Sequence, residues 1–314
     1  MMTADIVPDP TPPAERVSRA MSLLASAPGV LVEVAETKGS TPRERGCWML
    51  VHAAGIINTI GGGHLEFDAI RIARQMLASG NPRVDHRIMA LGPSLGQCCG
   101  GVAHLRFEWL NCEVGDGGLA SSRLSQLAER LSSPVHPVAL FGAGHVGHAI
   151  VRALMPLPFG IHWIDSRETA FGEFEGDRLR REVCEPPQDA VMHIARHSRV
   201  LVMSFSHAED LDIIRCCLLR RRHDPSSLPF IGLIGSATKW ARFRGQLLAR
   251  GFSPPELQAV HCPIGIAGIL GKEPEVIAAS VAAQLLLLDS HAVHTPAGIE
   301  ASRAKGLPEM AGPP

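Results

Sequence analysis

The sequence predicts an α/β protein: a C-terminal Rossmann-type parallel sheet with helices on both faces, preceded by a smaller N-terminal α+β domain. From Pro137 onward, short apolar strands alternate with amphipathic helical segments, which is the order of βαβ units on a parallel sheet. In the N-terminal part, strands follow one another across short turns and helical segments are fewer. A Gly/Asp-rich stretch, Glu113–Gly118, marks the change between these two sequence patterns.

Composition excludes several classes of function. The chain has 314 residues, 46% of them hydrophobic, which is enough for two domains with real cores. A formal net charge of −1 provides no basic face, so no nucleic-acid partner is expected. The longest apolar stretch, Val276–Leu288, is shorter than the roughly 20 residues that a membrane span needs, so no membrane partner is expected. With no apolar N-terminal signal region, we expect a cytoplasmic protein, whose eight cysteines are reduced.

The N-terminal domain is predicted to occupy residues 14–112, after a proline-rich disordered leader, residues 1–13. Apolar residues at helical spacing predict helices at Ala14–Ser26 and His64–Ser79. β-branched and alternating runs predict five strands. These strands are Val30–Val34, Cys47–His52, Gly55–Ile60, Val84–Leu91 and Val102–Leu110.

A linker, residues 113–136, is predicted next, although Leu119–Leu131 within it has a helical pattern. The Rossmann-like domain follows at residues 137–290, and a flexible tail at residues 291–314. The last helix of this domain, Pro274–Leu288, begins with a proline at a first-turn position, where its missing N–H costs nothing. The predicted strands of the domain are Val138–Phe141, Ile161–Ile164, Arg181–Cys184, Val200–Phe205 and Phe230–Ile234.

A glycine-rich turn between the first strand and helix of this domain predicts a nucleotide site. In the pattern Gly142-x-Gly144-x-x-Gly147, the first glycine allows a tight turn, the second lets a pyrophosphate approach, and the third packs helix on strand. Asp165 follows about twenty residues later at the end of the next strand, where an acid usually binds a ribose diol. The alternative is that Arg167, which lies near this acid in the sequence, binds an extra phosphate on the ligand in place of a free ribose hydroxyl. The three glycines and Asp165 are the candidate cofactor contacts of this domain.

A second candidate site is the segment Leu91–Gly101, LGPSLGQCCGG. Adjacent side chains on an extended chain point to opposite sides, so Cys98 and Cys99 cannot both enter one core. Glycines around them indicate a bent backbone or a closely approaching ligand. Thiolates suit soft ligands: a transition metal, a persulfide or a sulfur-rich cofactor. We therefore take Cys98 and Cys99 as candidate metal ligands, and both cysteines together with the neighbouring Gln97 as candidate cofactor contacts.

A third candidate is Gly61-Gly62-Gly63, which also lies just before a helix and is a second place for a phosphate. Arg43, in the polar segment Thr41-Pro42-Arg43, adds a guanidinium that can pair with a phosphate. The alternative is a flexible turn before a helix.

Six segments occur in order and together resemble the XdhC/CoxI family, the accessory proteins of xanthine dehydrogenase and related molybdenum hydroxylases. The resemblance covers the chain from about Val30 to Leu288. One departure is Ser204-Phe205-Ser206-His207, which stands after the fourth strand where a Thr-His-Asp-His-like run is expected. The six segments are ETKGSTPRERGCWMLV, TIGGGHLEFDAI, LGPSLGQCCGG, FGAGHVGHAIV with WIDSRE, FIGLIGSATK and CPIGIAGILGKEPEVIAASVAAQLL.

The resemblance implies a chaperone that binds the molybdenum cofactor, in its molybdopterin or dinucleotide form. It implies that the protein protects the cofactor while a cysteine desulfurase supplies the terminal sulfur, and then delivers it to apo-xanthine dehydrogenase or a related hydroxylase. Glycine turns suit the cofactor's phosphate, and the thiolates of Cys98 and Cys99 suit its metal–sulfur end. A nucleotide in the Rossmann site and a homodimer are further expectations.

Two other function classes remain open on the residues alone. The first is an NAD(P)-dependent oxidoreductase that uses the Rossmann domain, for which His145 and His207 are the candidate acids or bases. The second is a thiolate metal-binding or redox module, which the lack of a CxxC pair disfavours. No catalytic residue is assigned, and an accessory role is favoured over catalysis.

Overall fold

The computed structural model describes residue 11 and residues 15–91, 100–111, 118–132 and 134–293. The chain forms two compact units that divide between Pro134 and Val135. One contains an antiparallel sheet and the other a parallel sheet, so the predicted fold class is confirmed. Most of the predicted leader, residues 1–13, and of the predicted tail, residues 291–314, lies outside the described residues.

The N-terminal unit is built around a five-stranded antiparallel sheet with the order β3-β2-β1-β5-β4. Successive residues of the central strand β1 point to opposite faces, and both faces are buried. Val30 and Val32 pack in the cluster that includes α2, whereas Leu31 packs in the cluster that includes α1 and α3. The elements are α1 (Arg16–Leu24), β1 (Gly29–Lys38), β2 (Trp48–His52), β3 (Gly55–Ile57), α2 (Gly63–Ser79), β4 (Val84–Ala90), β5 (Val102–Leu110) and α3 (Gly118–Leu131).

Helix α3 belongs to this unit, and here the structure differs from the predicted linker, residues 113–136. Leu127 and Leu131 are buried in the same cluster as Trp48, and the indole nitrogen of Trp48 donates a hydrogen bond to the Leu131 carbonyl at 3.1 Å. The second face of the sheet therefore needs α3 as a cover. A helical pattern in the sequence does not reveal which sheet face the helix covers.

The C-terminal unit is a six-stranded sheet with the order β11-β10-β9-β6-β7-β8, in which every neighbouring pair is parallel. This is the Rossmann order, in which the direction of winding reverses between the first and fourth strands, here β6 and β9. The elements are β6 (His136–Phe141), α4 (His145–Leu154), β7 (Phe159–Asp165), β8 (Leu179–Val183), β9 (Arg199–Val202), α5 (His207–His223), β10 (Phe230–Leu233), α6 (Ala237–Ala249), α7 (Pro254–Leu257), β11 (Val260–His261) and α8 (Pro274–Val293).

Helices cover both faces of this sheet. Val138 and Leu140 of β6 pack in the cluster that includes α4 and α8, while Ala139 and Phe141 pack in the cluster that includes α5 and α6. The segments that flank β8 carry only 3₁₀ turns, so these two connections are shorter than full βαβ crossovers. Within the described residues, no helix is both long and apolar enough to cross a membrane.

Candidate functional site

The turn between β6 and α4 lies at the carboxyl edge of the parallel sheet, where the strand order reverses. Gly142 has a φ of +119°, and a Cβ on it would lie 2.0 Å from the carbonyl oxygen of Met203. A Cβ on Gly147 would lie 2.2 Å from the carbonyl oxygen of Gly142, so a larger residue would push α4 off the turn. The buried indole of Trp163 donates to the same carbonyl at 3.0 Å. The chain's own packing therefore requires both glycines.

Gly144 differs from the other two glycines, because neither its backbone conformation nor its packing requires a glycine at this position. Its φ is −83°, and a Cβ on it would meet nothing within 4 Å. As the N-cap of α4 it provides no side-chain hydrogen bond, whereas Ser206 and Ser236 cap α5 and α6 through their side-chain oxygens. The first N–H groups of a helix attract anions. The open space at Gly144 therefore fits a ligand phosphate.

Asp165, at the end of β7, has its carboxylate fully occupied. Oδ2 accepts from the Ala143 backbone N–H at 2.6 Å and from Nη2 of Arg167 at 3.0 Å. Oδ1 accepts from the backbone N–H and Nε of Arg167, both at 2.9 Å. A carboxylate accepts about four hydrogen bonds, so no position is left for a ribose hydroxyl. The residue predicted to bind ribose instead joins the glycine turn to Arg167.

The charge of Asp165 is stabilised by these bonds. Burial by itself would raise the pKa of Asp165, which is 3% exposed, but the hydrogen bonds from Arg167 and Ala143 outweigh burial and hold the pKa below its ordinary value. The hydrogen bond to Asp165 in turn raises the pKa of Arg167, and the charge of Glu209 adds to this effect. The guanidinium carbon of Arg167 lies 4.5 Å from the ring centroid of Phe205.

An ion pair between a buried aspartate and a partly buried lysine lies at the same sheet edge and was not predicted. Asp210, which is 2% exposed, accepts from the backbone N–H of Ser204 at 2.8 Å, from its hydroxyl at 2.7 Å, and from Nζ of Lys239 at 2.6 Å. Nζ of Lys239 also donates to the Ile234 carbonyl at 2.9 Å. The segment Gly235–Lys239 resembles an anion site in sequence, yet its lysine is paired inside the chain. The only sequence signal was an acid in the first turn of α5.

An apolar pocket of about 410 Å³ opens beyond the carboxyl ends of β10 and β11. Its wall includes Ile234, Ile264 and Val276. The loop that forms the pocket is tied to α8, because Ser280 Oγ accepts from the Ile266 N–H at 2.7 Å and Gln284 Oε1 accepts from the Gly265 N–H at 2.8 Å. The pocket was not predicted from the sequence, because its wall comes from the end of β10, the loop after β11 and α8, which meet only in the fold.

The glycine turn before α2 already holds an anion from the chain itself. Oε2 of Glu66 accepts from the backbone N–H of Ile60 at 2.9 Å and of Gly62 at 3.1 Å, and also from the hydroxyl of Thr59. Glu66 is 5% exposed. The position at Gly61-Gly62-Gly63 that was predicted to hold a phosphate is therefore occupied by a carboxylate of the protein.

Three motifs that are distant in sequence meet in the N-terminal unit. A Cβ on Gly61 would lie 2.5 Å from Cβ of Pro42, and a Cβ on Gly101 would lie 2.3 Å from the carbonyl oxygen of Ser40. The N–H of Leu91 donates to the Gly101 carbonyl at 2.8 Å, which closes the base of the cysteine segment. The base of that segment therefore packs on the loop that also contacts the Gly61 turn.

Gln97, Cys98 and Cys99 themselves lie outside the described residues. Where the structure does describe the chain, no cluster of three or more His, Cys, Asp or Glu side chains is arranged to hold a metal ion. Cys217 of α5 is fully buried in the core, and burial raises the pKa of its thiol.

Comparisons with known proteins agree with the order of the motifs. Residues 138–285 match the family model described as the XdhC Rossmann domain, and residues 22–88 match that of the XdhC and CoxI family. The uncharacterized protein YqeB of Escherichia coli (strain K12) is 26% identical over 276 residues, which cover 85% of this chain and 44% of that protein. The chain thus spans less than half the length of this curated relative.

A crystal structure from Bacillus halodurans, described as a xanthine dehydrogenase, has a similar fold. It matches with a TM-score of 0.69 at 20% identity, over 90% of this chain and 99% of that chain. At this identity the likeness concerns the fold alone.

Proposed function

The chain belongs to the XdhC and CoxI family. We therefore propose that it is an accessory protein for the maturation of a xanthine dehydrogenase-type molybdenum hydroxylase. Membership of this family suggests a maturation role. The finer proposal is that the protein binds the molybdenum cofactor and protects it while a cysteine desulfurase adds the terminal sulfur. It then releases the cofactor to the apo-enzyme.

One observation carries this proposal: three separate motifs pack around the base of the cysteine segment. Gly101 and Gly61 both lie too close to the Ser40–Arg43 loop to accept a side chain. Because only glycine fits at these two positions, the contacts support a fixed conformation for the residues at the base of the cysteine segment. The segment that this base carries includes Cys98 and Cys99, whose thiolates are soft ligands suited to a metal–sulfur centre.

The Rossmann unit supports a second part of the proposal, the binding of a nucleotide. The open space at Gly144 and the uncapped N-terminus of α4 fit a phosphate, and the sheet order matches that of dinucleotide-binding folds. The Gly61 turn is not part of the proposed site, because Glu66 satisfies its N–H groups.

The test is the amount of cofactor that the protein retains and delivers. We expect the double variant C98A/C99A, purified without oxygen from cells that make the cofactor, to retain at least about tenfold less molybdenum than the wild type, because both soft ligands are removed. It should also fail to activate apo-xanthine dehydrogenase. The matched control is C184A, since Cys184 is a free cysteine of the other unit. Normal molybdenum content and normal activation by C98A/C99A would refute the assignment.

The oxidoreductase alternative retains support from the same Gly144 site. It predicts that NAD(P)H is consumed when a substrate is supplied. Under the accessory role, a nucleotide binds without turnover. A spectrophotometric assay of NADH and NADPH with candidate substrates separates the two.

A further inference from the structure

Phe205 is an exposed aromatic residue at the edge of the sheet where Rossmann folds bind ligands. Its exposed fraction is 70%, the largest for any phenylalanine among the described residues. It follows β9 by three residues and lies beside the point where the strand order reverses.

The backbone on both sides of Phe205 is held in place. On one side, the N–H and hydroxyl of Ser204 donate to the buried carboxylate of Asp210. On the other side, Ser206 caps α5 by accepting the N–H of Glu209 at 3.2 Å. The exposure of the ring is therefore a property of an anchored segment.

A continuous set of contacts joins this ring to the glycine turn. The guanidinium of Arg167 lies over the ring at 4.5 Å from its centroid, and it is held in turn by the carboxylate of Asp165. That carboxylate also accepts the N–H of Ala143, the residue before Gly144. The ring and the phosphate-type position are thus linked through Arg167 and Asp165 at the carboxyl edge of the sheet.

The charges around Arg167 limit what can bind beside the ring. Asp165 is bonded to the guanidinium, and Glu209 from the first turn of α5 contributes a second negative charge nearby. Glu209 is itself held by the hydroxyl of Ser166 at 3.3 Å. With two carboxylates beside one guanidinium, a further anionic group is not favoured here. A flat ring stacked on Phe205 does not require a free positive charge.

We infer that Phe205, backed by Arg167, is a stacking platform for the flat nitrogen heterocycle of a ligand whose phosphate lies at Gly144. A nucleotide and a pterin phosphate share this chemistry. The inference rests on the proposed function only in using the same glycine turn. It assigns Asp165 to positioning Arg167 rather than to binding ribose.

The test compares variants of Phe205 in calorimetric titrations with ADP and, in a parallel arm, with neopterin monophosphate. We expect F205A to weaken binding about tenfold or more, because base–aromatic stacking is lost. F205W should bind within about threefold of the wild type, and ligand should quench its added indole fluorescence. The matched control is F67A, which removes another exposed phenylalanine, located in α2. It should bind as the wild type does.

The titrations distinguish a nucleotide site, a pterin site and the absence of a stacking platform. Binding of ADP alone identifies a nucleotide site, and binding of neopterin monophosphate alone identifies a pterin site. Unchanged binding by F205A overturns the platform, as does the absence of binding of either probe by the wild type at millimolar concentration. The two results that overturn the platform leave the proposed function open, because that function is tested separately by the activation of apo-xanthine dehydrogenase.

Discussion

The glycines of the turn between β6 and α4 occupy different physical situations. Gly142 combines a φ of +119° with close contact to the backbone of Met203, and Gly147 touches the backbone of Gly142. Gly144 has an ordinary conformation and open space around it. At the residue scale, therefore, two glycines maintain the turn, and the remaining one has open space beside it, where we propose that a phosphate binds.

Substitutions separate these roles. We expect G144V to leave the free energy of unfolding within about 1 kcal/mol of the wild type, because a Cβ at this position meets no atom within 4 Å and the change otherwise replaces a helix-cap glycine. It should abolish phosphate-ligand binding, since the new side chain fills the space. G142A should destabilise by about 2 kcal/mol or more, from overlap and strain. Urea unfolding and calorimetry measure both effects. Equal destabilisation by the two variants would contradict the assignment.

The Asp165 carboxylate makes a prediction about pH. Because its folded-state pKa lies below its ordinary value, its charge stabilises the fold at neutral pH, and this contribution is lost as pH falls through the folded-state pKa. D165N should therefore be less stable than the wild type at pH 7, and the difference should shrink below about pH 4. Urea unfolding at several pH values measures this. A difference that is constant with pH would argue against the charged network.

At the element scale, the loop after β9 and helix α6 are joined by one ion pair, in which the aspartate is buried and the lysine is partly buried. Lys239 lies in the first turn of α6, and Asp210 lies in the first turn of α5 and bonds to Ser204. Their side chains are 13% and 3% exposed. The segment after β9, helix α5 and helix α6 are thus held together through these two side chains.

Removing one partner of this ion pair should lower the free energy of unfolding more than removing both charges does. K239M leaves Asp210 buried and unpaired, and we expect it to lower the free energy of unfolding by about 3–5 kcal/mol. The double variant K239M/D210N should recover part of that loss, because no uncompensated charge remains. K272M, at an exposed lysine, is the control. Additive losses in the double-mutant cycle would show that the two groups do not interact.

At the scale of the whole molecule, each unit has its own cores. Two hydrophobic clusters draw only on residues before 134, and two draw only on residues after 135. Since a domain folds on its own when its core is complete, the two units are domains in the physical sense.

This separation predicts that the fragment 135–293 folds alone. We expect a single cooperative urea transition in which Trp163, which has no exposed surface, keeps the emission of a buried indole until unfolding. Fluorescence and circular dichroism should give coincident curves. A broad transition, or exposed-indole emission without urea, would show that the N-terminal unit is needed for folding.

Much of the fold was predictable because strands and helices depend on local periodicity. The predicted strand Val138–Phe141 lies within β6, and the predicted helix Pro274–Leu288 lies within α8. The predicted strand Val200–Phe205 ends earlier, at Val202, because Ser204 turns to bond Asp210. β-branched and apolar residues indicated the strand, but not the side chain that ends it.

The sequence by itself determined the fold class, the glycine turn before α4 and the motifs of the XdhC and CoxI family, because each is a pattern along the chain. Only the tertiary structure decided what the polar groups do. It filled the acceptors of Asp165 with Arg167 and Ala143, and placed Glu66 in the Gly61 turn. The reason is physical: a hydrogen-bonding group is satisfied by whichever partner meets it in space, and such partners lie many residues apart.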